Sequence, residues 1–91
     1  ESIPANYYLG QNYPNPFNPT TKIDFSIPKA GLVKLTVFDE TGKEVSQIVN
    51  EDLAAGNYSY SYNASGLASG VYFYMLKAND DVEIRKMILV K

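Results

Sequence analysis

The sequence predicts an all-β fold, an antiparallel sandwich of about six or seven short strands, and three observations predict it. Apolar and polar residues alternate at Lys22–Ile27, Leu32–Asp39 and Asn57–Asn63. Turn residues, chiefly Gly, Pro and Asn, separate these runs and the less regular ones between them. No stretch carries the apolar period of a helix. This is the pattern of an immunoglobulin-like sandwich, with a small closed barrel as the alternative. The 91 residues, 45% of them hydrophobic, fit one domain with a core of its own.

Residues 1–11 read as a linker turning into a short packed segment around Tyr7, Tyr8 and Leu9, and residues 12–91 as the sandwich. The most unusual stretch follows at once: Asn12-Tyr13-Pro14-Asn15-Pro16-Phe17-Asn18-Pro19, with three prolines in eight residues. Each proline fixes its φ, lacks an N–H and drives the preceding residue into extended geometry, which excludes both helix and interior strand. Asn15 and Asn18 stand before prolines, where a short amide can hold an Asx-type turn. Phe17 is then a large apolar side chain on a stiff scaffold. It is expected to plug one end of the domain while the prolines keep a sheet edge from pairing with another chain, with direct contact to a ligand or partner as the alternative, and the two are compatible.

In Lys22–Ile27, Ile23, Phe25 and Ile27 share one face; after the Pro28–Gly31 turn, Val33, Leu35 and Val37 do the same. Phe38 points the other way, so the end of that strand should be covered on both sides. Glu40-Thr41-Gly42-Lys43 reads as a hairpin with Gly42 at a positive φ. The return strand, Glu44–Val49, breaks alternation and should carry a bulge or end early, and Asn50–Gly56 reads as a polar loop that buries Leu53 alone. Tyr58, Tyr60 and Tyr62 alternate with Asn57, Ser59, Ser61 and Asn63. The latter face is too polar for a core, so the tyrosines should turn inward. A small-residue loop from Ala64 to Gly70 leads to Val71–Leu76, apolar throughout, as suits a central strand buried on both faces. Asn79-Asp80-Asp81 is a hairpin turn, and Val82–Val90 the final strand.

The chemistry is sparse. Histidine and cysteine are both absent, which removes the usual zinc ligands, general base, thiolate and serine triad. The adjacent carboxylate pairs Asp39-Glu40, Glu51-Asp52 and Asp80-Asp81 fall in predicted turns or loops, where solvated charge is the plain reading; Asp80-Asp81 beside Asn79 matches no calcium-loop spacing. A formal charge of −2 with eight scattered basic residues offers no basic face for nucleic acid. Asn57-Tyr58-Ser59 and Asn63-Ala64-Ser65 fit the N-glycosylation triplet, a pattern that also arises by chance. The chain opens at Glu1 without a signal-peptide pattern and reads as a piece of a longer precursor. No cofactor is expected.

With these pieces placed, the chain from Asn12 to Lys91 resembles the type A C-terminal sorting domain of the type IX (Por) secretion system. Tyr13-Pro14-Asn15-Pro16-Phe17-Asn18-Pro19-Thr20 is similar to that family's opening signature. Pro28, Gly31, Val33, Leu35, Val37, Asp39, Gly42 and Val45 match its hairpin pattern, with Phe38 where tyrosine is more usual. Gly66-Leu67-Ala68-Ser69-Gly70-Val71-Tyr72 matches the loop into its central strand, and Lys86-Met87-Ile88-Leu89-Val90-Lys91 its closing strand.

The resemblance implies a non-catalytic domain, fused to a secreted parent protein. It would be recognised in the periplasm, pass with its parent through an outer-membrane translocon to the outside or the cell surface, and be removed near its start by a sortase-like protease. A monomer is expected. Much of the export signal should lie in Lys86–Lys91, whose free strand edge a translocon component could extend by β-augmentation. The plain alternative for those side chains is that Ile88 and Val90 are core. Competing roles are a carbohydrate-binding module using the tyrosine row, or a spacer module of a secreted hydrolase.

Overall fold

A computed structural model describes residues 3–91; Glu1 and Ser2, at the head of the expected linker, lie outside the described residues. Seven strands and no helix are present among them: β1 (Tyr8–Leu9), β2 (Thr20–Ile27), β3 (Gly31–Asp39), β4 (Glu44–Leu53), β5 (Gly56–Asn63), β6 (Gly70–Ala78) and β7 (Asp81–Leu89). They form two antiparallel sheets, one of order β1-β2-β5 and one of order β4-β3-β6-β7. This is the expected sandwich, with the chain passing from one sheet to the other as in immunoglobulin-like domains.

Alternation places the core. From β2 it takes Ile23, Phe25 and Ile27, from β3 Val33, Leu35 and Val37, from β6 Tyr72, Tyr74, Leu76 and Ala78, and from β7 Met87 and Leu89. The tyrosine row does turn inward: Tyr62 is buried, and Tyr58 and Tyr60 pack half-buried against the core. Phe25 stacks on both, with ring centroids 5.3 Å from Tyr58 and 5.7 Å from Tyr60. The hydroxyls end at the rim, Tyr58 donating to Ala54 O at 2.6 Å and Tyr72 to Ala68 O at 2.7 Å. The Tyr72 contact, four residues back across the loop into β6, has the form of a tyrosine corner.

Gly42 takes φ +89° in the β3–β4 hairpin, and Asn79 takes φ +55° in the β6–β7 turn. Register shifts fall between Leu35 and Thr36 and between Val37 and Phe38, so the β3–β4 pair does carry the expected irregularity.

Two expectations need correction. Asn50–Gly56 is not a loop: β4 continues to Leu53, pairing through Gly31↔Leu53, and only Ala54 and Ala55 separate it from β5. Asn50, Glu51 and Asp52 are polar because they are exposed on an edge strand, while their backbone is still drawn into the ladder that β3 offers. The second concerns β6, which is central in its sheet but covered on one face only. Val71, Phe73 and Met75 point away from the core and are half-buried among neighbouring side chains, with no third layer over them among the described residues.

Candidate recognition site around the last strand

The proline-rich stretch is a strap that crosses from one sheet to the other. It starts beside β2, where Tyr8 pairs with Ser26 and Leu9 with Phe25. Gly10 N–H then donates to Asp24 O at 2.8 Å, and Tyr13 and Lys22 exchange backbone bonds of 2.9 Å. Leu9 is only 3% exposed, so the packed part of the lead-in segment contributes to the core. Beyond Tyr13 the strap leaves β2 and reaches the outer edge of β7.

Phe17 is the anchor there. Its side chain is 2% exposed, as expected of a plug. Its backbone bridges β7 in parallel: Phe17 N–H donates to Ile88 O and Val90 N–H to Phe17 O, both at 2.9 Å. Asn15 does not close a local Asx turn; its Oδ1 accepts from Ile88 N–H at 2.9 Å. That amide faces outward from an edge strand, and the side chain satisfies it where a proline-rich backbone supplies few partners. Gln11 Nε2 donates to Lys86 O at 2.8 Å, and Arg85 Nε to Leu9 O at 2.7 Å.

A buried polar network holds the strap at its crossing. Asn12, 2% exposed, donates its backbone N–H to Tyr74 Oη at 2.8 Å, and Tyr74 donates in turn to Gly10 O at 2.7 Å. Asn12 Nδ2 donates to Pro14 O and to Thr21 Oγ1, each at 3.1 Å, and Thr21 Oγ1 donates to Pro14 O at 2.9 Å. Burial pushes the Tyr74 pKa up, against the lowering pull of the Asn12 N–H and of Arg85. Neither Thr21 nor Tyr74 stood out in the sequence as a partner of the strap. Asn12 and Tyr74 lie 62 residues apart, and spacing carries no sign of such a contact.

The segment expected to carry recognition, Lys86–Lys91, divides by parity. Met87 and Leu89 are fully buried in the core. Lys86, Val90 and Lys91 are exposed, and Ile88 is half-buried on the outer face of its sheet. The alternative that Ile88 and Val90 are core is therefore wrong by one residue, because β7 turns the odd-numbered positions inward here. Nor is the edge free: Lys86 O, Ile88 N–H, Ile88 O and Val90 N–H are all bonded by the strap. Addition of a foreign strand at Lys86–Val90 would first have to displace it.

The other motif segments meet at the same end. Gly70 begins β6 opposite Leu89, and Asp39, at the hairpin that carries Gly42, lies opposite Tyr72. Ala64 N–H donates to Pro19 O at 2.9 Å, joining the loop before β6 to the strap. Lys91 closes the cluster, its N–H donating to Ser69 Oγ at 3.0 Å and its Nζ to Ser65 O at 2.6 Å. Tyr13 stands 80% exposed on the strap, with Pro14, Asn15, Pro16 and Asn18 also exposed beside it.

A family model described as the secretion system C-terminal sorting domain matches residues 11–91. No curated protein matches the chain.

Proposed function

The chain belongs to the family of secretion system C-terminal sorting domains, the export signals of type IX secretion, and from that premise we propose how this one is used. The domain addresses a fused parent protein to the type IX machinery for release or display at the cell surface. In our reading the parent reaches the periplasm first, and a component of the outer-membrane translocon then takes hold of the folded sandwich. A sortase-like protease cuts near its start. The domain works as a monomer and not as a catalyst, a role that a chain without His or Cys suits.

Recognition is assigned to the end of the sandwich where the strap, the hairpin, the loop before β6 and the end of β7 come together. The observation that carries this is the lock on β7: Phe17, Asn15 and Gln11 bond the outer edge of Lys86–Val90. With that edge taken, a partner reads the exposed side chains of Lys86, Val90 and Lys91 rather than the backbone between them.

The test is export of a fluorescent reporter that carries an ordinary signal peptide and this domain at its C-terminus, in a host with a working type IX system. Truncation of Lys86–Lys91 would also strip Met87 and Leu89 from the core, so the comparison is a Val90→Ser/Lys91→Ala double variant with its thermal melt. The unaltered domain should place the reporter outside, and the stable double variant should leave it in the periplasm. Retention with the unaltered domain would sink the sorting role of this chain. Export of the double variant would move recognition off the end of β7.

A further inference from the structure

The two outer faces of the sandwich differ in kind. Outside the β1-β2-β5 sheet stand Lys22, Asp24 and Ser26 opposite Ser61, Ser59 and Asn57, an ordinary solvated face. Outside the other sheet, Phe38 stands beside Phe73, and Met75 beside Ile84. Val82 and Ile84 are 49% and 61% exposed, and Val71, Phe73 and Met75 are partly buried among neighbouring side chains. β6 has the composition of a strand buried on both faces, yet its second face has no cover among the described residues.

Charge on this face is also sorted. Acidic residues outnumber basic ones in the chain, ten to eight. On the outward positions of β3, β6 and β7, however, the charged side chains are Lys34, Lys77 and Lys86, and Glu44 and Asp52 lie out on edge strand β4. Lys34 and Lys77 are direct cross-strand partners, flanked by Asn50 and Val82. Like charges placed so are unfavourable in the domain by itself. Beside them opens a hollow of about 190 Å³ lined by Leu32, Lys34, Lys77 and Asn79, with room for a carboxylate side chain.

We propose that this outer face, centred on Phe73, Met75 and Ile84 and flanked by Lys34, Lys77 and Lys86, docks a protein of the export apparatus whose own surface is apolar and rimmed by Asp and Glu. The proposal rests on the sorting role and is continuous with it, since Lys86 and Ile88 belong both to this face and to the closing strand. At about 4.8 Å between strands and about 6.7 Å between residues on one side of a strand, the face covers roughly 500 Å². That is less than the roughly 800 Å² per partner of a standard stable complex and suits a passing recognition contact rather than a permanent dimer. A second copy would bring lysines toward lysines. A bilayer is met chiefly by exposed aromatic side chains, whereas the aromatic residues of this face, Phe38 and Phe73, are partly buried.

The experiment uses the same export reporter, with thermal melts of each variant. Ile84→Asp should cut export about tenfold or more, a hot-spot loss, without lowering the melting temperature. Lys77→Glu should act in opposite directions, raising the melting temperature by relieving Lys34 while lowering export. Ser61→Asp on the polar face should export like the unaltered domain. Normal export of Ile84→Asp and Lys77→Glu would overturn the docking face and leave the sorting role standing; no export even of the unaltered domain would fell the sorting role itself. A photo-crosslinking residue in place of Ile84, irradiated during export, should join the domain to an apparatus protein at an apolar segment flanked by Asp or Glu. Adducts only to lipid or to a second copy, or none, would overturn the assigned partner.

Discussion

Phe17→Ala removes the anchor of the strap and leaves the strap's backbone able to bond. An aromatic side chain buried to 2% exposure takes roughly 150–250 Å² out of water, of which truncation to alanine forfeits about two-thirds. At about 25 cal/mol/Å² that is about 3 kcal/mol, and the cavity left behind brings the cost to about 3–5 kcal/mol. A domain of this size has about 5–10 kcal/mol in all, so the variant should lose near half its stability. Urea unfolding followed by tyrosine fluorescence, in a chain without tryptophan, should show the midpoint falling by about 2–4 M with an unchanged slope. Amide exchange of Val90, whose N–H donates to Phe17 O, should quicken beyond the global loss. A cost under about 1 kcal/mol with Val90 exchange unchanged would refute the plug, since no large buried aromatic can be removed so cheaply.

Three further outcomes follow from the same structure. Gly42→Val sets a β-branched residue at φ +89° and should cost about 1–2 kcal/mol; an unchanged melting point would contradict the hairpin geometry. Tyr74→Phe leaves the buried Asn12 N–H and Gly10 O without their partner and should cost about 1–3 kcal/mol in urea unfolding, a neutral result contradicting the network. Asp39 accepts from Thr41 Oγ1 at 2.6 Å, Thr41 N–H at 2.9 Å and Lys43 N–H at 3.0 Å; the Thr41 hydroxyl first, then Lys43 N–H, hold its pKa below the ordinary 3.8. A lowered pKa means stability present above the ordinary value and lost as pH falls through the folded one, so the melting-point gap between Asp39→Ala and the unaltered domain should be full at neutral pH and close in acid. A gap of constant size down to strong acid would show that the carboxylate charge does not hold the turn.

The parts of the fold that could be read in the sequence are those set by local rules. Alternation placed Ile23, Phe25 and Ile27 in the core, and the polarity of Ser59 and Ser61 turned Tyr58, Tyr60 and Tyr62 inward. Gly42 marked its turn, because few residues but glycine accept that φ without strain. What could not be read depends on what lies beside a strand. Asn50–Asp52 are as polar as any loop, and only the ladder offered by β3 makes them strand. Val71–Leu76 reads as doubly buried because a single sequence cannot distinguish a cover within the chain from one supplied by a partner. The strap could be seen as an odd stretch, and its role as edge protection followed from its prolines. Its target did not, since Asn15 reaches Ile88 across 73 residues.

Covering an edge strand usually creates a new edge, and the composition of the strap avoids this. A segment laid along β7 offers its own outer N–H groups to the next chain unless something removes them. Pro14, Pro16 and Pro19 have none to offer, and Phe17, the residue that pairs, spends both its N–H and its C=O on β7. Residues 12–19 can therefore close the end of β7 without becoming a template in turn. The other half of β7 is not strapped, and there Val82 and Ile84 stand exposed. Under the proposed docking, recognition through side chains on a sheet face has a physical advantage, because backbone pairing is indifferent to sequence and would join any two open edges. The locked edge at Lys86–Val90 and the apolar, lysine-flanked face beside it are thus two parts of one arrangement: the first withholds the backbone from indiscriminate pairing, and the second offers a surface that only a complementary partner fits.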